Sequence, residues 1–286
     1  MTSKHRGYRL SIAIPSSLVS EVPHLREKTG IIGQVARAAA IYRVDDVYIY
    51  RDDPDESRLV RLLLSYVETP QYLRKRLFKK MDELRYVGIL PPLRTPHHPL
   101  EKRADKLKIG EFREGVVLSE DAGEFRVDIG VDRPLRATGR APSPGSRATV
   151  IVSAVSPDLR GRFVRRKDVD LYWGYEVHTV RGGIEKIGSI GNFDLKIATS
   201  RHAQTFRQLE SEICSRIGDA RNVLVAFGSH RKGLRELLSE KGLDLDRTFD
   251  FTVNAIPGQG PETVRTEEAI NATLALLNIL EPHGHS

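Results

Sequence analysis

The chain has 286 residues and a net charge of +7, which is enough length for one large domain or two modest ones with proper cores. We expect a soluble cytoplasmic protein without a membrane partner, because no apolar run approaches a membrane span and MTSKHRGYRL lacks the apolar core of a signal peptide. The single cysteine, Cys214, excludes an internal disulfide framework and disfavours a cysteine-ligated zinc site; its helical spacing predicts a buried side chain.

The first elements in chain order predict a βαβ unit. Tyr8–Pro15 has the pattern of a buried strand, Thr29–Val44 of a helix and Asp45–Tyr50 of a second strand. A helix between two short apolar strands implies a parallel sheet, whose ligands bind at the carboxyl ends of the strands. The sequences DESRLVRLLLSYVE and PQYLRKRLFKKM predict two more helices.

The positive charge is concentrated in one segment, Pro70–Lys108. Lys and Arg outnumber Asp and Glu there by seven, and aromatic residues are interleaved with them. Attraction to a phosphate backbone needs such a segment, and we favour nucleic-acid binding over the alternative of a solvated helix face. The candidate nucleic-acid contacts in this segment are Arg74, Lys75, Arg76, Lys79 and Lys80.

The pattern of apolar and polar residues changes after the proline-rich stretch Pro91–Leu100, which is predicted to be a linker. His97 and His98 lie in it without metal-ligand partners at suitable spacing, and no metal site is predicted. From Gly110 to Val164, short alternating runs separated by Gly and Pro predict a small barrel of about five strands. The sequence EGVVLSEDAGEFRVDIGVDRPLRATG resembles the opening hairpin of an OB-fold or S1-like RNA-binding module.

An α/β pattern resumes after the barrel. WGYEVHTVR and GIEKIGSI predict an edge hairpin, and strands and helices then alternate through DLKIATS, QTFRQLESEICSRI, NVLVAFGS, RKGLRELLSEKG and FDFTVNAI to a final helix. The barrel is therefore predicted to be an insertion, residues 101–164, in an α/β domain made of residues 1–100 and 165–286.

Two loops at strand ends are the candidates for ligand binding. Gly228 and Ser229 follow one predicted strand, and Pro-Gly-Gln-Gly-Pro follows the next. Gly258 and Gly260 permit backbone angles closed to other residues, and the prolines stiffen the loop, which suits a backbone shaped to hold a ligand; the alternative is a stiff connector. The chain has no GxGxxG, GxxxxGK[ST] or GxSxG motif, which disfavours a Rossmann site, a P-loop and a serine-hydrolase elbow.

The combination of LVAFGSHRKGL with VNAIPGQGPETVRTEEAI resembles the SPOUT superfamily of S-adenosylmethionine-dependent RNA methyltransferases. KTGIIGQVARAAAIYRVDDVYIY and the OB-like insertion narrow the resemblance to an archaeal and eukaryotic subgroup, and it covers nearly the whole chain. It implies a trefoil-knotted, mainly parallel sheet with helices on both faces. It also implies a homodimer, with Thr266–Leu280 at the interface.

The resemblance also implies which residues form the site. S-adenosylmethionine would be held by Ala226, Phe227, Gly228, Asn254, Ile256, Pro257, Gly258, Gln259, Thr263 and Val264. Arg201 would grip the target nucleotide, the alternative being an ion pair or dimer contact, and Arg231 and Lys232 would contact RNA. Glu267 is a second catalytic candidate, although the helix dipole alone favours a carboxylate at that position.

The predicted function is methylation of RNA, with ribosomal RNA as substrate and a uridine base nitrogen as acceptor. The alternative is an RNA-binding ribosome-assembly factor that keeps the fold without turnover. The intact sequence NAIPGQGPETV favours the enzyme, because a pure binder has no need of a cofactor pocket.

Overall fold

The computed structural model describes residues 4–121, 123–140 and 142–280. The strands are β1 Arg9–Pro15, β2 Asp46–Tyr50, β3 Phe112–Asp121, β4 Glu124–Asp128, β5 Leu135–Thr138, β6 Arg147–Ala154, β7 Arg160–Val164, β8 Glu176–Thr179, β9 Leu195–Thr205, β10 Asn222–Ala226 and β11 Phe251–Asn254. The α-helices are α1 Leu25–Ile41, α2 Ser57–Glu68, α3 Gln71–Leu77, α4 Ile187–Ile190, α5 Phe206–Asp219, α6 Leu234–Ser239, α7 Leu245–Thr248 and α8 Thr266–Ile279.

The chain forms two compact units. The sheet unit contains Arg6–Ser65, Arg85–Pro91 and the chain from Tyr175 onward, and the barrel unit contains Tyr66–Leu84 and Pro92–Gly174. The division into an α/β domain of residues 1–100 and 165–286 and an inserted domain of residues 101–164 stays a prediction.

The sheet unit is built on six strands in the order β11-β9-β10-β1-β2-β8, all paired in parallel. β1 lies inside the sheet, and six of its seven residues are buried. A strand buried along its length is typical of a parallel sheet covered on both faces. α1 packs against α8, and α5 packs against β9 and β11. The predicted parallel α/β sheet is confirmed.

One edge of the sheet differs from the prediction. β8 pairs in parallel with β2, so it is not part of a hairpin, and residues 184–190 are helical. Ile184 and Ile187 are both buried in the core beneath the sheet. Side chains three positions apart share a helix face, whereas a strand would turn them to opposite faces. The predicted edge hairpin is therefore wrong.

The helix predicted over PQYLRKRLFKKM is shorter than expected. α3 ends at Leu77, because Phe78 takes an extended backbone while its N–H still donates to the carbonyl of Arg74. The Phe78 ring packs edge-on against Tyr66, with 5.2 Å between ring centroids. The helix therefore ends four residues before Met81, and the extended residue that follows it is in contact with an aromatic ring.

The barrel unit contains a closed five-stranded barrel in the order β3-β4-β5-β7-β6. β3 pairs antiparallel with both β4 and β6, which closes the barrel, while β5 and β7 pair in parallel. Its core is formed by apolar side chains that include Val127, Leu135 and Val150. The predicted small barrel of five strands is confirmed.

A buried charged cluster lies in the same unit. Glu68 accepts hydrogen bonds from Arg147 at 2.5 Å and from Arg166 at 2.7 Å. Glu114 accepts from Arg147, Trp173 and Thr149. The arginines hold the pKa of both carboxyl groups below its usual range against the cost of burial. Removing Arg147 would take away the guanidinium that pairs with the buried Glu114 carboxylate, which is strongly destabilising.

The interpretation of His97 and His98 as linker residues is wrong. His97 is fully buried, and its Nε2 lies 3.0 Å from the carbonyl oxygen of Glu68, which also contacts His98 Nε2 at 2.7 Å. Two imidazoles therefore cap the carboxyl end of α2. The pairing joins residues about thirty positions apart, which local spacing does not reveal.

The prediction for Cys214 is also wrong. Its side chain is exposed on α5, whereas Ile213 and Ile217 on the neighbouring face are buried. Within the described part of the chain, no helix combines the length and the apolar character that crossing a bilayer requires.

Candidate functional site

A cavity of about 690 Å³ lies at the carboxyl ends of β10 and β11. This is the edge at which parallel α/β sheets bind ligands. The predicted site residues that line it are Arg201, Phe227, Gly228, Arg231, Asn254, Ile256, Gln259, Thr263 and Val264. The predicted residues Ala226, Pro257, Gly258, Lys232 and Glu267 are not among the lining residues.

Arg201 reaches the cavity through an irregularity in β9. Ala198 pairs with Thr252 of β11, but the next pair joins Gln204 to Val253, so the five residues 199–203 leave the ladder. Such an excursion re-aims side chains at the edge of a sheet. Arg201 Nη1 donates to the carbonyl oxygen of Glu262 at 2.8 Å, which ties the excursion to the loop after β11.

The end of β10 forms the first wall. The Phe227 N–H donates to the carbonyl oxygen of Ala13 at 3.0 Å, and the buried Tyr50 hydroxyl donates to the Phe227 carbonyl oxygen at 2.7 Å. A side-chain carbon at Gly228 would lie 3.0 Å from the backbone oxygen of Lys232 and 3.2 Å from Cα of Gly233. Glycine therefore allows the loop after β10 to turn back closely on itself.

The loop after β11 forms the second wall, and its own side chains hold its shape. Asn254 Nδ2 donates to the Arg201 carbonyl at 2.8 Å, and its Oδ1 accepts from the Ile256 N–H at 2.9 Å. Gln259 Nε2 donates to the carbonyls of Pro261 at 3.0 Å and Glu262 at 2.9 Å. The loop is thus preorganised by side-chain to backbone hydrogen bonds as well as by proline.

Only one of the two loop glycines has the unusual backbone that was predicted. Gly258 has φ +68°, in the left-handed region, while Gly260 is outside it. A side-chain carbon at Gly258 would have no described atom within 4 Å apart from its chain neighbours, so the backbone angle favours glycine there and not a close approach among the described residues.

α8 supplies a third wall, which the sequence did not reveal. Thr266, Ala269 and Thr273 line the cavity at positions that share one helix face. The Thr266 hydroxyl donates to the Gly228 carbonyl at 3.2 Å, which joins the start of the helix to the loop after β10. The spacing of two threonines and an alanine was the available signal, but this face is indistinguishable in sequence from a packing face.

Two buried polar atoms in the cavity lining have no hydrogen-bond partner among the described residues: His230 Nδ1 and Thr273 Oγ1. The His230 side chain is 9% exposed and Thr273 is fully buried. Buried polar atoms are nearly always paired in native proteins, so these two atoms are available to a polar ligand or to water. The walls of backbone, one aromatic ring and unpaired polar atoms fit a cofactor with both apolar and polar parts, as S-adenosylmethionine has.

Glu267 lies on a buried part of α8. It is 4% exposed, and burial raises the pKa of its carboxyl group. The carboxylate that caps the helix is instead that of Glu268, which accepts from the Arg265 N–H at 2.9 Å.

The predicted RNA contacts fall into two groups. Arg74 donates to the carbonyls of Thr69 and Val67 and lies over the Tyr66 ring, and Arg76 pairs with Asp128 at 2.5 Å. These two arginines therefore already serve the barrel unit, and Lys232 likewise pairs with Glu240. Lys75, Lys79, Lys80 and Arg231 are exposed.

One group of metal-ligating side chains is found among the described residues: Asp46, Glu176 and His178, at the amino-terminal ends of β2 and β8. Asp46 receives two hydrogen bonds from Arg9, at 2.7 and 2.9 Å, and pairs with His178 at 2.8 Å. The guanidinium already occupies both oxygens of this carboxylate.

Comparison with known proteins decides the family. Residues 9–277 match the model of the family described as "Putative RNA methyltransferase". The chain belongs to this family. The predicted RNA methyltransferase function is confirmed at this level, and it makes the protein an enzyme.

Similar proteins are found in archaea and animals. An uncharacterized protein of Halobacterium salinarum is 36% identical over 295 residues, covering 95% of this chain and 99% of that protein. The human 28S rRNA (uridine-N(3))-methyltransferase is 32% identical over 314 residues, covering 95% of this chain and 78% of the human one. The mouse protein of the same name is 31% identical, covering 96% and 77%.

Proposed function

We propose that the protein transfers a methyl group from S-adenosylmethionine to N3 of a uridine in ribosomal RNA. The observation that carries the cofactor assignment is the cavity at the strand ends, with two buried polar atoms that no described residue pairs with. The choice of substrate is supported by the similarity to the human 28S rRNA (uridine-N(3))-methyltransferase.

The residues around the cavity would bind and orient both substrates. Backbone groups of Phe227, Gly228 and Ile256, together with His230 and Thr273, would hold S-adenosylmethionine, which when bound supplies an activated methyl group. Positioning then dominates the rate, because the methyl donor needs no further covalent activation. Arg201, exposed on the excursion of β9, would hold the target nucleotide.

The acceptor nitrogen adds a requirement for proton removal. N3 of uridine carries a proton that must leave, so a group able to accept it has to lie within hydrogen-bond reach. The titratable side chains that line the cavity and can accept a proton are His202, His230, Glu236 and Glu262. Glu267 is a weaker candidate, because it does not line the cavity.

Several features implied by the SPOUT resemblance are part of the same proposal. The C-terminal chain would be knotted: α8 follows β11 at one edge of the sheet yet packs on α1, and Thr266 bonds to the loop after β10. A homodimer would bury Ile279, which is 71% exposed at the end of α8. The barrel would be an RNA-binding OB-fold, supported by its closure and five-strand order.

The test is methyl transfer in vitro. Ribosomal RNA is incubated with the protein and S-adenosylmethionine labelled in the methyl group, and the digested nucleosides are analysed by mass spectrometry. Labelled 3-methyluridine supports the proposal, and rRNA from a strain lacking the protein should lack that nucleoside. RNA binding without any labelled nucleoside would instead favour the assembly-factor alternative.

A further inference from the structure

Three arginines lie side by side on the outside of the barrel. Arg126 of β4 is directly opposite Arg136 of β5, and Arg136 is level with Arg160 of β7. Arg162, two residues further along β7, lies level with Thr138. We call Arg126, Arg136, Arg160 and Arg162 the arginine row.

Because successive side chains along a strand point to opposite faces, the arginine row lies on the outer face of the barrel. All four arginines are exposed, while the intervening Val127, Leu135 and Ala137 are buried in the barrel core. With neighbouring strands about 4.8 Å apart, three arginines on three adjacent strands span about 10 Å. The guanidinium groups therefore form one compact patch of positive charge.

The row is only partly neutralised by the protein itself. Arg160 lies 3.3 Å from Asp158 and 3.7 Å from Glu124, both on the surface. Within the described residues, Arg126, Arg136 and Arg162 form no ion pair. Like charges directly opposite each other across a strand pair are destabilising, so this arrangement costs the free protein stability. A polyanion would remove the repulsion.

We propose that the arginine row binds the phosphate backbone of a single-stranded segment of the substrate RNA; this rests on the proposed function. Guanidinium groups match phosphate oxygens with two parallel hydrogen bonds. In β4, β5 and β7, whose residues are all described, the only aromatic residues are Phe125 and Phe163, which pack on each other at 5.4 Å and on the barrel core. These strands therefore offer no outward ring for base stacking, and contacts of the row to phosphates carry no direct information on RNA sequence.

The test compares two double variants of the full-length protein that remove the same charge. Arg126→Gln with Arg136→Gln removes the facing pair of the row. Arg103→Gln with Arg165→Gln removes two exposed arginines of the same unit that are paired with Asp105 and Asp168, both at 2.6 Å. Binding of a fluorescein-labelled 20-nucleotide single-stranded RNA is measured by anisotropy from 50 to 300 mM salt.

The row variant should bind the RNA about tenfold more weakly and lower the slope of log affinity against log salt by about 1.4, since each single-strand phosphate contact contributes about 0.7. The control variant should change the slope by much less. The melting temperature of the row variant should equal or exceed that of the unmodified protein, because the variant removes a repulsive pair. A purely structural role of the arginines would lower it.

Equal effects of the two variants, or no effect of the row variant, would overturn the proposal in favour of a solvated surface. Weaker capture of an acidic protein with RNA affinity intact would overturn it in favour of a protein partner. Labelled methyl transfer to rRNA by the unmodified protein separates this inference from the proposed function. If transfer occurs and the row variant keeps its KM for rRNA, only the inference fails; if the protein neither binds rRNA nor methylates it, both fail.

Discussion

Replacing Gly258 by valine tests the loop after β11 at the one position where its backbone is restrictive. Gly258 has φ +68°, and a Cβ atom there would have no described atom within 4 Å apart from its chain neighbours, so the substitution is expected to act through the backbone angle. A left-handed conformation costs an L-residue about 1–2 kcal/mol, and more for a β-branched one. If the loop relaxes in the free protein and has to be restored on binding, affinity for S-adenosylmethionine falls about 5- to 30-fold or more.

The assay is isothermal titration calorimetry with S-adenosylmethionine, accompanied by denaturant unfolding. Gly258→Asn is the matched comparison, because asparagine tolerates the left-handed region and should lose much less affinity. Gly260→Ala is the control, since Gly260 lies outside that region and its side-chain carbon would also meet open space. Unchanged affinity in the valine variant would remove the loop from the site. Equal losses for asparagine and valine would refute the argument from the backbone angle.

Three further outcomes are expected. Burial lowers the pKa of His98 to about 3, so the unfolded chain binds a proton that the folded chain does not, and the free energy of unfolding should fall by up to about 1.4 kcal/mol per pH unit below pH 6.5. Denaturant titrations between pH 6.5 and 5 should show that this free energy depends less on pH in His98→Gln, but not in the exposed His202→Gln. The same pH dependence in both variants would contradict the prediction. Arg201→Ala removes the hydrogen bond to Glu262, so the backbone amides of residues 254–265 should exchange hydrogen faster and the affinity for the cofactor should fall. Unchanged exchange would show that this bond does not hold the loop. Light scattering should show that the unmodified protein is a dimer and that Ile279→Glu is a monomer. Ile190→Glu, which also changes an exposed isoleucine, should remain a dimer. A monomeric unmodified protein would refute the dimer.

The strands and the loops between them could be predicted because their signals are local. β1, α1 and β2 follow runs of apolar residues whose period is visible within one segment. The loops after β10 and β11 carry their glycines and prolines next to the strands that position them. The excursion of β9 could not be predicted, since its five residues leave the ladder only in relation to the register of β11. The same limit applies to His97, whose burial depends on Glu68, 29 positions earlier.

The two proposed binding surfaces differ in how far the sequence reveals them. The proposed cofactor cavity lies at strand-end loops, so motifs along the chain contain most of its lining. The proposed RNA surface depends on the register between strands: Arg126, Arg136 and Arg160 are ten and twenty-four positions apart, and the pairing of β5 with both β4 and β7 places them in one row. In the sequence, by contrast, the dense charge at Arg74–Lys80 is conspicuous, yet Arg74 and Arg76 are engaged within the protein. Arg126 and Arg136 form no ion pair among the described residues and are exposed, so they are stronger candidates for phosphate contacts than Arg74 and Arg76, whose guanidinium groups are already engaged.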